Sequence, residues 1–197
     1  MINTTARVIS YVLNPFLVAF VSIVSVAAAA SSGNLAEAAR WAAISLALSV
    51  LPVFAVVVYL VRQGSLDGIF VASRRQRTRI YALASALGAV GCVVMWYIRA
   101  PELLLTSFVA GFIAVVVFLV INLFWKISAH TAFVTAAAAV MTIIYGAPGA
   151  LTFLLVPLIG WARIKLGMHS PAQVAAGALI AGGIVLAVFW LNDMLMG

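Results

Sequence analysis

The chain of 197 residues is poor in charge: 8% of it is charged, against 66% hydrophobic, with four acidic residues and two histidines. So little polar surface excludes a soluble globular domain of this size. A single cysteine excludes an internal disulfide, and Cys92, inside an apolar run, reads as a small packing residue. Charges are nearly missing from the interiors of the apolar runs. That argues against a transporter of an anionic solute, whose site would place them at mid-membrane. The sequence has no repeat, no linker and no second domain. Residues 1–197 read as one integral membrane domain.

What is present is a series of apolar runs near the roughly 20 residues that cross a bilayer. Lipid offers no partner to unpaired backbone groups, so the expected fold is all-α, a polytopic bundle of about seven spans. The runs are Ile9–Ala30, Trp41–Val61, Ile80–Ile98, Leu103–Phe124, Ser128–Tyr145, Ala150–Leu166 and Pro171–Leu191. The fifth and sixth are short, and Pro157 predicts a kink in the sixth. The first run reads as a span rather than a signal peptide, because it continues past Pro15 to Ala30.

Counting spans brings distant residues together. Two spans separate the start of the chain from Arg62, two more lead to Lys126, and two more to Arg163. Three polar clusters therefore meet at one membrane face. That face carries Arg7, Arg62, Arg74, Arg75, Arg77, Arg79, Lys126, Arg163 and Lys165. The other holds Arg40 and Arg99 with Glu37, Glu102 and Asp193. The cation bias predicts a cell-membrane protein with the clustered face in the cytoplasm. The net charge of +7 lies in short loops, which fits anionic headgroups or a phosphorylated substrate rather than nucleic acid.

Both histidines fall at that face, each at the mouth of a span. His130 follows Lys126, and His169 follows Arg163. Imidazoles beside fixed cations suit a reaction in which one attacks phosphorus and the other protonates a leaving oxygen. Ser128 and Ser170 are placed to cap the following helices, with Pro171 at a first helical position. Helix N-termini favour an anion. Ser170-x-x-Gln173 also has the pattern of a capping box.

These residues carry a resemblance. Lys126-Ile127-Ser128-Ala129-His130 resembles the second motif of the type 2 phosphatidic-acid phosphatase superfamily, usually Pro-Ser-Gly-His. Ala162-Arg163, His169 and Gln173 resemble the third, usually Ser-Arg-x5-His-x3-Asp. Ala162 replaces the Ser and Gln173 the Asp. The first motif, Lys-x6-Arg-Pro, fits less well: with Arg77 as its Arg, Phe70 stands for the Lys and Thr78 for the Pro, and Arg74 or Arg75 is the alternative. The resemblance covers about Ser73 to Gly177.

It implies a six-helix lipid-phosphatase-like core and an enzyme that hydrolyses a lipid phosphate monoester or diphosphate through a phosphohistidine. His169 would be the nucleophile, His130 the general acid and then base, and Gln173 the partner of the nucleophile. Arg163, Arg77, Arg74 and Lys126 would hold the phosphoryl oxygens, with Ser128 as donor. Neither metal nor cofactor is implied, because fixed cations do the electrostatic work. The implied partners are the lipid substrate and membrane lipids, with a homo-oligomer or a membrane-complex partner left open. Gln173 supplies no negative charge, so the alternative is a weak or inactive relative serving as a structural or lipid-binding subunit.

Overall fold

The computed structural model describes residues 2–68 and 73–196. Phe70, which stands where the first motif has its Lys, lies outside them. The described chain is all-α. Its helices are α1 (Ile2–Val12), α2 (Pro15–Ala30), α3 (Leu35–Leu48), α4 (Val50–Arg62), α5 (Arg74–Tyr97), α6 (Glu102–Phe124) and α7 (Ala129–Tyr145). A short α8 (Ala147–Ala150) and a 3-10 turn (Leu151–Leu154) lead into α9 (Leu155–Lys165), and α10 (Pro171–Met196) completes the described fold.

Among the described residues four helices are long and apolar enough to cross a membrane, or six if each of two bent pairs is one span. The remaining expected span, α7, is a shorter apolar helix of 17 residues. The first expected span divides: α1 and α2 meet at 41°. Asn14 is extended and its side chain accepts from Leu17 N, while Pro15 opens α2 without an N–H to lose. The second divides at Ser49, also by 41°. There the ring of Pro52 opposes a continuous helix, since it would meet the carbonyl of Leu48. The third starts earlier than expected, with Arg74 already in α5. The sixth runs from α8 through the 3-10 turn into α9 as one span, and Pro157 falls in the first turn of α9, where it removes no intrahelical bond.

The expected meeting of clusters depends on how α7 is held. It is the most buried helix, packed between α2, α9 and α10, with α5 and α6 forming an antiparallel pair alongside. Small residues let these backbones approach. A Cβ on Gly177 of α10 would stand 2.6 Å from the Ser128 carbonyl oxygen at the start of α7. Ser128 N donates to the Gln173 carbonyl at 3.2 Å across the same contact. The first turns of α7 and α10, which bear the two histidine segments, are therefore tied directly together.

Candidate functional site: a cationic chamber with two imidazoles

Arg163 lies in the last turn of α9 and His169 just beyond it. The helix ends at Leu166, and Gly167 takes φ 66°, a left-handed value that a glycine adopts without strain. Met168 N then donates to the Arg163 carbonyl at 3.1 Å, folding the chain back. From the α6–α7 loop Lys126 Nζ donates to the Met168 carbonyl at 2.6 Å and fixes this turn from outside. His130 sits in the first turn of α7, whose N-cap is Ser128. Arg77 projects from the first turns of α5, and its Nη1 donates to the Ile127 carbonyl at 3.2 Å.

His130, His169, Arg77, Arg163 and Lys126 line one cavity of about 360 Å³. The first four are buried, at 4 to 8% exposure. Below them the walls are almost wholly apolar and include Ile80, Ala84, Phe112, Val115, Phe118 and Phe133. The cavity reaches Leu104 and Val185. At about 1.5 Å of rise per residue, Leu104 lies roughly 30 Å along α6 from Phe124. One end of the chamber is cationic, and the rest is a slot through the bundle.

The cationic end holds donors that the protein does not satisfy. Arg77 Nε and Nη2, Arg163 Nε and both ring nitrogens of His169 are buried without a hydrogen-bond partner. The ion pair found among the described residues, Arg40 with Glu37, lies at the other end of the bundle. Burial holds the His169 imidazole at a pKa of about 3, with Arg163, Lys126 and Arg77 adding to the effect. The ring is thus neutral at physiological pH. Burial, Arg77 and Arg163 likewise push the Lys126 ammonium below its ordinary value. An anion placed among these groups would oppose both shifts, since an opposite charge favours the protonated form. Among the described residues no cluster of His, Cys, Asp or Glu could hold a metal ion.

Three expected site residues do other work. Arg74 is exposed and donates to the Phe124 carbonyl at 2.9 Å, closing the end of α6, and it does not line the cavity. Ser128 is fully buried, shares a 2.8 Å hydrogen bond with the Thr131 hydroxyl and caps α7. Gln173 forms the capping box: its Oε1 accepts from Ser170 N at 3.2 Å, and its N–H donates to Ser170 Oγ at 3.3 Å. Its amide is therefore committed away from the ring of His169, whose neighbour is the Ile127 backbone. Arg75 and Arg79 are exposed.

Two residues contribute without any sequence motif to mark them. Asn122, fully buried, donates from Nδ2 to the Arg74 carbonyl (3.0 Å) and to Thr78 Oγ1 (2.9 Å), fixing α6 against the turn that carries Arg77. A lone amide in an apolar span was the available signal. Ser10 of α1 accepts from Arg163 Nη1 at 2.7 Å, across 153 residues of sequence. Nothing in the sequence pointed to that contact.

Fold and site together define a helical membrane protein with a buried anion-receptive chamber holding two imidazoles. Residues 106–196, a little under half of the chain, match the PAP2 superfamily, the one its motifs resemble. The match includes Lys126, His130, Arg163 and His169 and stops short of Arg77. It supports a phosphatase-type protein. No curated protein and no solved structure matches the chain.

Proposed function

We propose that this protein is an integral membrane phosphatase that removes phosphate from a lipid phosphate monoester, or the terminal phosphate of a lipid diphosphate. The observation that carries the reading is the composition of one cavity. The guanidinium groups of Arg77 and Arg163, with donors left unmet, stand beside the two imidazoles at one end, and a hydrocarbon-lined slot runs from them. A phosphate head on an apolar tail satisfies both. Isoprenoid phosphates, phosphatidate and phosphatidylglycerophosphate all have this form. The excess of cations around the mouth supports a cytoplasmic placement of that face in the cell membrane.

In the proposed reaction a ring nitrogen of His169 attacks phosphorus with its lone pair as the bond to the leaving oxygen breaks. His130, able to carry a proton once the anion supplies counter-charge, gives that proton to the departing alcohol. Arg77, Arg163 and Lys126 hold the non-bridging oxygens, where charge builds in the transition state. His130 then takes a proton from water, whose oxygen attacks the phosphohistidine. The P–N bond breaks, inorganic phosphate leaves, and both imidazoles return to their starting state.

One observation favours a second reading, a weak or silent relative that binds lipid: Gln173 is committed to its capping box, so His169 lacks the partner the family motif supplies. Phosphate release from a panel of lipid phosphates in nanodiscs separates the two. The enzyme reading expects release in the wild type, an acid-labile phosphoenzyme on rapid quenching, and loss of both in His169→Ala. Release that persists in His169→Ala removes the proposed nucleophile. Binding without release in the wild type supports the silent relative.

A further inference from the structure

The residue that reaches furthest into the site from an unexpected place is Ser10. Helix α1 lies across α9, with Ala6 at 0% and Ser10 at 5% exposure. Ala6, Ile9 and Leu13 pack with Val134, Ile159 and Ala162. The outward face bears Arg7, Val8, Tyr11 and Val12, all exposed. At the buried face Ser10 meets two of the site's functional groups. Its hydroxyl accepts from Arg163 Nη1 at 2.7 Å, and its backbone is a hydrogen-bond partner of His130.

We propose that Ser10 is a positioning residue: its hydroxyl sets the guanidinium plane of Arg163 for phosphate, and its backbone steadies the ring of His130. The inference rests on the phosphatase reading for its substrate, but its central claim concerns phosphate affinity alone.

The chemistry of a hydroxyl explains why it suits this place. An arginine side chain carries large rotamer freedom, and a fixed contact at one Nη removes much of it before substrate arrives. A carboxylate would also fix the guanidinium, but it would neutralise it and compete with phosphate. A hydroxyl orients the group and leaves its charge intact. Arg163 Nε, buried and unpartnered, then remains available to a phosphoryl oxygen. Because α1 is bent away from α2 at Asn14 and Pro15, it reaches over α9 instead of continuing the span.

The two contacts through Ser10 can be tested apart. Ser10→Ala removes the hydroxyl and keeps the backbone contact to His130. It should raise KM for the lipid phosphate and weaken inorganic phosphate binding, followed by 31P NMR line broadening, by roughly 5- to 50-fold. Its kcat/KM should fall by at least that factor, since Arg163 also meets the charge that builds in the transition state, and its pH profile should hold, since His130 keeps its partner. Ser10→Asp should weaken phosphate binding further than Ser10→Ala, because it neutralises Arg163. Unchanged phosphate binding in Ser10→Ala overturns the proposal, as does a shifted pH profile. Tighter binding in Ser10→Asp than in Ser10→Ala overturns the charge argument. Phosphate binding needs no turnover, so the result stands apart from the His169→Ala test of catalysis.

Discussion

Arg77 and Arg74 lie three positions apart in one basic stretch, and replacing each separates a substrate ligand from a surface cation. Arg77 spends Nη1 on the Ile127 carbonyl and leaves Nε and Nη2 buried without acceptors. Hydrogen bonds to charged groups contribute about 1.5–3 kcal/mol each. Two such bonds to phosphoryl oxygens are therefore about 3–6 kcal/mol, or roughly 10²- to 10⁴-fold in kcat/KM. Arg77→Ala should lose that much. Arg77→Lys keeps the charge but not the planar fork, and should lose roughly 10- to 100-fold. Arg74 is exposed and bonded to the Phe124 carbonyl, so Arg74→Ala should stay within about 3-fold. Stability should move the other way. A buried cation with unmet donors is a cost to the fold, so Arg77→Met should melt no lower than the wild type. The assay is phosphate release from a lipid phosphate in nanodiscs, with a thermal melt on each variant. If Arg74→Ala loses as much activity as Arg77→Ala, or Arg77→Ala stays within about 3-fold, the assignment of the site donors is wrong.

Gln173→Ala removes the back-bond of the capping box and should cost about 0.5–2 kcal/mol of stability while activity changes only a few-fold. A loss beyond about 100-fold with the melt unchanged would mean the amide acts on His169 after all. The neutral imidazole of His169 should show no titration between about pH 5 and 8 in 15N NMR of the ligand-free protein, since its pKa is held at about 3. The unfolded chain takes up this proton as pH falls below about 6.5, and the native protein does not until about 3. Stability from this group is therefore fully present above about pH 6.5 and declines as pH drops towards 3. A native midpoint near 6.5 would refute the burial. Gly111 faces the apolar slot, and a Cβ there meets nothing within 4 Å. At about 1.5 Å per residue it lies roughly 20 Å along α6 from Phe124. Gly111→Phe should suppress turnover of long-chain lipid phosphates and spare short-chain ones; equal loss on both would place the tail elsewhere.

The sequence alone determined the solvent. Its hydrophobic fraction admits no soluble fold, and a bilayer leaves helices as the way to satisfy backbone in an apolar run. It also determined which loops share a face, because the parity of spans between Arg62, Lys126 and Arg163 is a topological fact that small boundary errors leave intact. His130, His169, Arg163, Arg77 and Lys126 do line one cavity. What it could not decide is where a side chain goes once its loop is in place. Arg74 and Arg77 are alike in type and setting, and only their angular positions on α5 turn one to the α6 terminus and the other into the chamber. Gln173 satisfies a motif spacing and a capping spacing at once, and only the turn at Ser170 resolves the choice. The contact of Ser10 with Arg163 spans 153 residues and depends on α1 breaking from α2 and crossing α9. Local patterns fix helices and their sides, because those follow from nearest neighbours and from lipid. The chemistry of the chamber depends on directions a few ångströms long, and packing alone sets those.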